Sequence, residues 1–299
     1  MVREKEKLRG TILRFAIYHA AASLKQADGR VAGIKFNKLM FKLGNIEPRL
    51  RLPYRWYLYG AVLDSSELKG YVEFDHPEDE TKTNVRVPYR EPPLPPQLTD
   101  AGEKIKEHCE KFVRDFAGSD AFYSMLEDHY RSAPLEFQRA YLRINKALEE
   151  LSSQRAPPGK RFEALHKDAA KSFSKLESAY LKDGIAIEPR MNESALRVFL
   201  AARCLIERGE SDKARDLLFE LWKVFCLFLS ARKNENIHPS RLESYLARAE
   251  KALEDYRRHL PGELDAIYKE IGTPGRVDKG IQAGLTRAAM EQYDRHGGS

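Results

Sequence analysis

Between residues 8 and 27 the chain reads LRGTILRFAIYHAAASLKQA, with apolar side chains at Leu8, Ile12, Phe15 and Ala16 and again at Leu13, Ile17, Ala20 and Leu24. Two such rows leave little polar circumference, so the pattern predicts a helix at the centre of its domain. The turn ADGRVAG ends it. In IKFNKLMFKLG the residues Phe36, Leu39, Met40 and Leu43 recur at i, i+3, i+4 and i+7, which predicts a second helix stopped by Gly44. Leu52, Tyr54, Trp56 and Leu58 then alternate with Arg51, Arg55, Tyr57 and Tyr59, the period of a strand that ends at Gly60. On that pattern Tyr54, Trp56 and Leu58 face the core, and Arg55, Tyr57 and Tyr59 face outward or line the edge.

Asp64-Ser65-Ser66-Glu67 reads as a capping box that opens a short helix from Ser65 to Tyr71. Residues 71–74 and 85–87 bracket the polar DHPEDETKTN as a β-hairpin with a long tip. The proline-rich EPPLPPQ is expected to be extended. After it, LTDAGEKIKEHCEKFVRDF places Ile105, Cys109, Phe112, Val113 and Phe116 on one face of a new helix.

Beyond residue 117 every segment has helical periodicity. The expected organisation is a first domain over 1–117, a connecting helical pair over 118–153, an all-α domain over 160–271 and a basic tail helix over 272–299. QRAPPGK, at 154–160, is the linker candidate. Within the helical half, Ala202, Leu205, Gly209, Ala214 and Leu218 have the spacing of a tetratricopeptide-type helix hairpin, with no second copy to make an array. The helix over 211–231 is apolar nearly all round, which assigns it to the centre of a bundle or, next, to a dimer interface. The fold class expected is mainly α with a small β-hairpin.

Composition changes the picture mostly through charge. Of the chain's 299 residues, the first 60 hold 13 Lys or Arg against 4 Asp or Glu, while the remainder hold 38 against 41. A positive excess gathered at one end points to a polyanion as partner, because Lys and Arg release condensed counterions from phosphates. The three cysteines, Cys109, Cys204 and Cys226, are odd in number and set in apolar helical patterns, as expected of reduced core thiols in the cytoplasm. No histidine completes a metal spacing with them, and no cofactor motif is present. A charged MVREKEKLRG and the lack of any apolar run of about 18 residues argue against a signal peptide or a membrane span.

KFNKLMFKL, LPYRWYLYG with its Tyr57-Leu58-Tyr59-Gly60 element, DSSEL, and LTDAGEKI after a hairpin resemble segments of prokaryotic winged helix-turn-helix proteins over about residues 8–117. The resemblance implies a DNA-binding, regulatory domain with no catalytic residues. Lys35, Lys38 and Lys42 then read as a basic stripe opposite the apolar face of the second helix, extended by Arg49, Arg51 and Arg55. Ser65, Ser66 and Lys69, with the wing residues Lys82 and Arg86, complete the expected contact set for double-stranded DNA. Asp64, Glu67, Asp75, Glu78, Asp79 and Glu80 oppose it, since each would repel phosphate.

Two competing expectations come from the same residues. One is a protein-interaction adaptor or antitoxin-like component, docking its acidic wing tip on a basic partner. The other is a ribonuclease resembling HEPN domains, from Arg232 and His238 in RKNENIH. A surface loop that caps the next helix is the preferred reading of those two residues. The leading expectation is a non-enzymatic protein that binds duplex DNA and dimerises or meets a protein partner through its helical half.

Overall fold

The computed structural model describes residues 2–26, 29–66, 68–75, 83–116, 121–153 and 160–271. They divide into two compact units, one drawn from Met1–His129 with Lys233–Leu242 and one from Tyr130–Arg232 with Glu243–Ser299. The expected boundary at 117 thus moves to His129, and a ten-residue stretch from much later returns to the first unit. Mainly helical architecture with a small antiparallel sheet is as expected. Most of the linker candidate and the whole tail lie outside the described residues.

In the first unit, α1 (Val2–Leu24) buries Ile12, Leu13, Phe15, Ala16, Ile17 and Ala20, so it is central as its two apolar rows require. Helix α2 (Gly33–Ile46) runs past Gly44 rather than stopping there. A Cβ at residue 44 would lie 3.0 Å from Leu52 Cδ1, so this glycine permits a close approach of the following segment instead of ending the helix. Strands β1 (Tyr54–Tyr57) and β2 (Gly60–Leu63) form an antiparallel hairpin with Tyr57 opposite Gly60 and Tyr54 opposite Leu63. Gly60 was expected to break a strand, yet it begins one. Its φ of 104° supplies the left-handed residue that turns the chain back.

Strands β3 (Glu73–Phe74) and β4 (Val85–Arg86) pair as the expected second hairpin, whose tip lies outside the described residues. Helix α3 (Thr99–Asp115) follows a single 3-10 turn at Pro96–Leu98 and buries Ile105, Cys109 and Phe112. Helix α4 (Ala121–Tyr130) and strand β5 (Asn234–Glu235) complete the unit, with sheet order β2-β1-β5. Trp56 is in the core as expected, 5.7 Å from the Phe41 ring and 5.3 Å from that of His129.

The short helix expected from Ser65 to Tyr71 is absent: the described residues there form turns, and Glu67 lies outside them. Asp64 is 2% exposed, and its carboxylate accepts from the Ser66 amide at 2.9 Å and from the Ser66 hydroxyl at 2.5 Å. That is an Asx turn, which closes on the second following residue and does not need a helix behind it. The side chain that looked like a helix cap serves a turn.

The second unit holds α5 (Glu136–Ser152), α6 (Lys160–Ala179), α7 (Asn192–Glu207), α8 (Ser211–Arg232) and most of α9 (Pro239–Ile271). Helices α7 and α8 form the hairpin that the small residues predicted. Gly209, at φ 79°, ends α7 while the Glu210 amide donates to the Leu205 carbonyl at 2.9 Å. Helix α8 is the bundle centre: Trp222 is 1% exposed and stacks on Tyr141 at 4.1 Å, and Phe225 and Phe137 pack beside it. Its apolar girth is covered by the bundle's own helices, so no partner subunit is needed to bury it. Helix α9 runs longer than the 240–259 expected, with Pro261 inside it.

Candidate functional site

The lysine stripe of α2 is not an open solvent face. Lys38 is fully buried and its Nζ donates to the Ala61 carbonyl at 3.1 Å. Lys35 is half-buried and donates to the Phe116 carbonyl at 3.4 Å, while Lys42 forms an ion pair with Asp128. The cause lies in β2, the outer strand of its sheet, whose outward backbone groups need partners once α2 and α4 cover them. Lys38 supplies a donor to the Ala61 carbonyl. His129 Nε2 accepts from the Ala61 amide at 2.9 Å, and Asn37 Oδ1 accepts from the Leu63 amide at 3.4 Å. Three polar side chains, of which Lys38 belonged to the expected contact set, satisfy one strand edge.

His129 is 2% exposed, and burial, followed by the nearby Lys38 and Lys42 charges, holds it well below its ordinary pKa. Accepting a backbone N–H requires the neutral ring, so the low pKa and the hydrogen bond agree.

A different basic surface is open. Lys5, Arg9, Arg49 and Arg51 line a cleft of about 510 Å³, together with Leu8, Ile12, Gln97 and Leu98 and with Glu6 as the one acid of its lining. Lys5 and Arg9 come from one face of α1, four residues apart. Arg49 sits in the 3-10 turn Pro48–Leu50 and Arg51 caps that turn. The cap is left-handed, with φ 43° and ψ 55°, a region that a residue with a Cβ enters at a cost of about 1–3 kcal/mol. This conformation leaves the Arg51 carbonyl as acceptor for Arg9 Nη2 at 3.1 Å.

Arg49 is oriented by Glu47, whose carboxylate accepts from Nε and Nη2 at 2.6 Å each. The side-chain bonds to Arg49 hold the Glu47 carboxyl below its usual range, and those to Glu47 push the Arg49 guanidinium up. Lys5 and Arg51 have no ion-pair partner among the described residues. The cleft therefore keeps a clear positive excess. It unites Arg49 and Arg51 from the expected set with Lys5 and Arg9, which were missed. Their signal was legible in MVREKEKLRG, where Lys5 and Arg9 fall one helical turn apart beside Leu8.

The other expected residues are scattered. The Arg55 guanidinium lies 4.8 Å from the Tyr57 ring centroid. Ser65 is half-buried, Ser66 serves the Asp64 turn, Lys69 is exposed, and Lys82 lies outside the described residues. Arg86 lines a second hollow of about 700 Å³, where Lys25, Arg30 and Arg86 are set against Glu73 and Asp75. Glu73 stands directly opposite Arg86 across β3 and β4. That hollow is close to electrically balanced and gives a polyanion little to hold.

Arg232 donates to Glu188 Oε2 at 3.0 Å, and Glu188 is 2% exposed. His238 Nδ1 accepts from the Ser240 amide at 3.4 Å, at the start of α9, as a capping residue would. Among the described residues no group of His, Cys, Asp and Glu side chains has the arrangement to hold a metal ion, and no helix is long and apolar enough to cross a membrane. Comparison with protein-family models, curated proteins and solved structures finds no match to this chain.

Proposed function

We propose that the amino-terminal unit binds nucleic acid, docking phosphates on Lys5, Arg9, Arg49 and Arg51. The observation that carries this is the convergence of four cations from two separate chain segments on one cleft whose lining includes a single acid. Arginine suits the task, since its planar fork meets phosphate oxygens two at a time. The order α1, α2, the β1–β2 hairpin, the β3–β4 hairpin and α3 supports a winged-helix type of plan. Because the described residues between Ser65 and Tyr71 form turns, a helix laid in the major groove is not part of the proposal. Binding through backbone phosphates fixes position without reading bases, so sequence discrimination should be slight.

The test is fluorescence polarisation with duplex DNA, single-stranded DNA and RNA at several salt concentrations. Arg49→Gln together with Arg51→Gln should lower the salt slope by about two, one for each lost contact, and Lys69→Gln should leave it unchanged. Wild-type protein that binds none of the three polymers at low salt would remove nucleic acid as the ligand.

A further inference from the structure

Backbone docking uses the charge of the cleft and leaves its hollow unexplained. Here the cations line a hollow of about 510 Å³ together with Leu8, Ile12 and Leu98, within the range of about 300–1,000 Å³ that encloses a small molecule. We infer that the cleft receives the terminal nucleotide of a strand, holding its end phosphate on Arg9, Arg49 and Arg51 and its sugar and base against Leu8. This rests on the nucleic-acid reading of the same unit.

Charge supports an end over an internal linkage. A terminal phosphate monoester carries about −1.5 to −2 near neutral pH, whereas an internal diester carries about −1. Three guanidiniums and one amine stand against Glu6 and the Glu47 carboxylate bonded to Arg49, and the surplus that remains matches the larger charge better. Arg9 adds a second observation. Its Nε is enclosed and has no acceptor among the described residues, while Nη2 is tied to the Arg51 carbonyl. An end phosphate in the cleft would supply the acceptor that Nε lacks. The left-handed backbone at Arg51 belongs to the same arrangement, since it aims the carbonyl that holds Arg9.

Full-length protein should be titrated by fluorescence polarisation against short single strands that carry a 5′-phosphate, a 3′-phosphate or hydroxyls at both ends, and against a covalently closed dumbbell duplex with no ends. One phosphorylated end should bind about tenfold more tightly than the hydroxyl strand, and the arm that does so identifies the polarity. Adenosine monophosphate should compete and adenosine should not. Arg51→Gly and Arg9→Gln should each abolish the end preference. Glycine accommodates the positive φ, so Arg51→Gly keeps the fold, which an unlowered thermal midpoint verifies. Equal affinity for phosphorylated and hydroxyl ends, with both weakened in the variants, would overturn the terminal nucleotide and leave backbone docking standing. An end preference that survives Arg51→Gly would overturn the placement. Absence of binding to every strand would overturn the inference and the nucleic-acid reading together.

Discussion

Two basic regions of the amino-terminal unit look alike in sequence and have opposite fates. The lysines of α2 recur at helical spacing and read as a solvent stripe, yet Lys38 is in the core and Lys42 is paired with Asp128. The cations around the cleft sit in a charged amino-terminal run and in a loop, and they line an open hollow even though Arg49 is bonded to Glu47. What separates them is the backbone beside them. A strand edge covered by helices leaves carbonyls and amides that must be satisfied, and a lysine with a long apolar stem can lie in a core while its amine reaches such a carbonyl. The turn carrying Arg49 and Arg51 has no such strand edge to serve.

The contrast can be broken most severely at Lys38. Lys38→Glu should destabilise the protein by about 3–5 kcal/mol, because a buried carboxylate would face the Ala61 carbonyl. Lys38→Met keeps the stem and should cost about 1–3 kcal/mol for the unsatisfied carbonyl. Urea unfolding measures both, and unchanged stability in Lys38→Glu would return this lysine to the surface.

Acid is the next lever. His129 has a folded pKa below its unfolded value of about 6.5, so its contribution is full above that pH and fades as pH falls, by at most about 1.4 kcal/mol per pH unit. His129→Gln removes the titration and should flatten stability against pH through that window. A slope identical to wild type would show that other groups govern the acid limb.

At the cleft the signs divide. Arg51→Gly should raise stability by about 1 kcal/mol by relieving the left-handed strain, while nucleic-acid affinity falls about tenfold. Loss of stability and affinity together would make Arg51 a structural residue. The smallest effect is expected at Lys42 and Asp128, whose side chains are 34% and 29% exposed. A double-mutant cycle on Lys42→Gln and Asp128→Asn should give a coupling of no more than about 1 kcal/mol, as for other solvent-screened pairs. A much larger coupling would place the pair in the core beside Lys38.

Much of the fold was legible along the chain. The two apolar rows of α1, the helix that begins at LTDAG, the second β-hairpin and the α7–α8 hairpin each follow from local periodicity and from glycine positions. Arg49 and Arg51 were legible as candidates because an arginine-rich loop has few ways to hide its charge. The β1–β2 hairpin was read as one strand since Gly60 can end a strand or turn it, and only pairing with a neighbour decides which. The Ser65 helix failed for a related reason, as an aspartate before two serines closes a turn as readily as it caps a helix.

Periodicity reports which side of an element is apolar, and from it alone came the helical class, the central place of α1 and α8, and the basic bias of the amino end. It does not report which polar side chain lies next to an unpaired backbone group of a distant strand. That depended on β2 coming to rest between α2 and α4, and the same folding step that buried Lys38 left the arginines at 49 and 51 facing α1 across an open cleft. Long-range packing assigns the partners, because burial makes an unsatisfied carbonyl costly and a satisfied one nearly free.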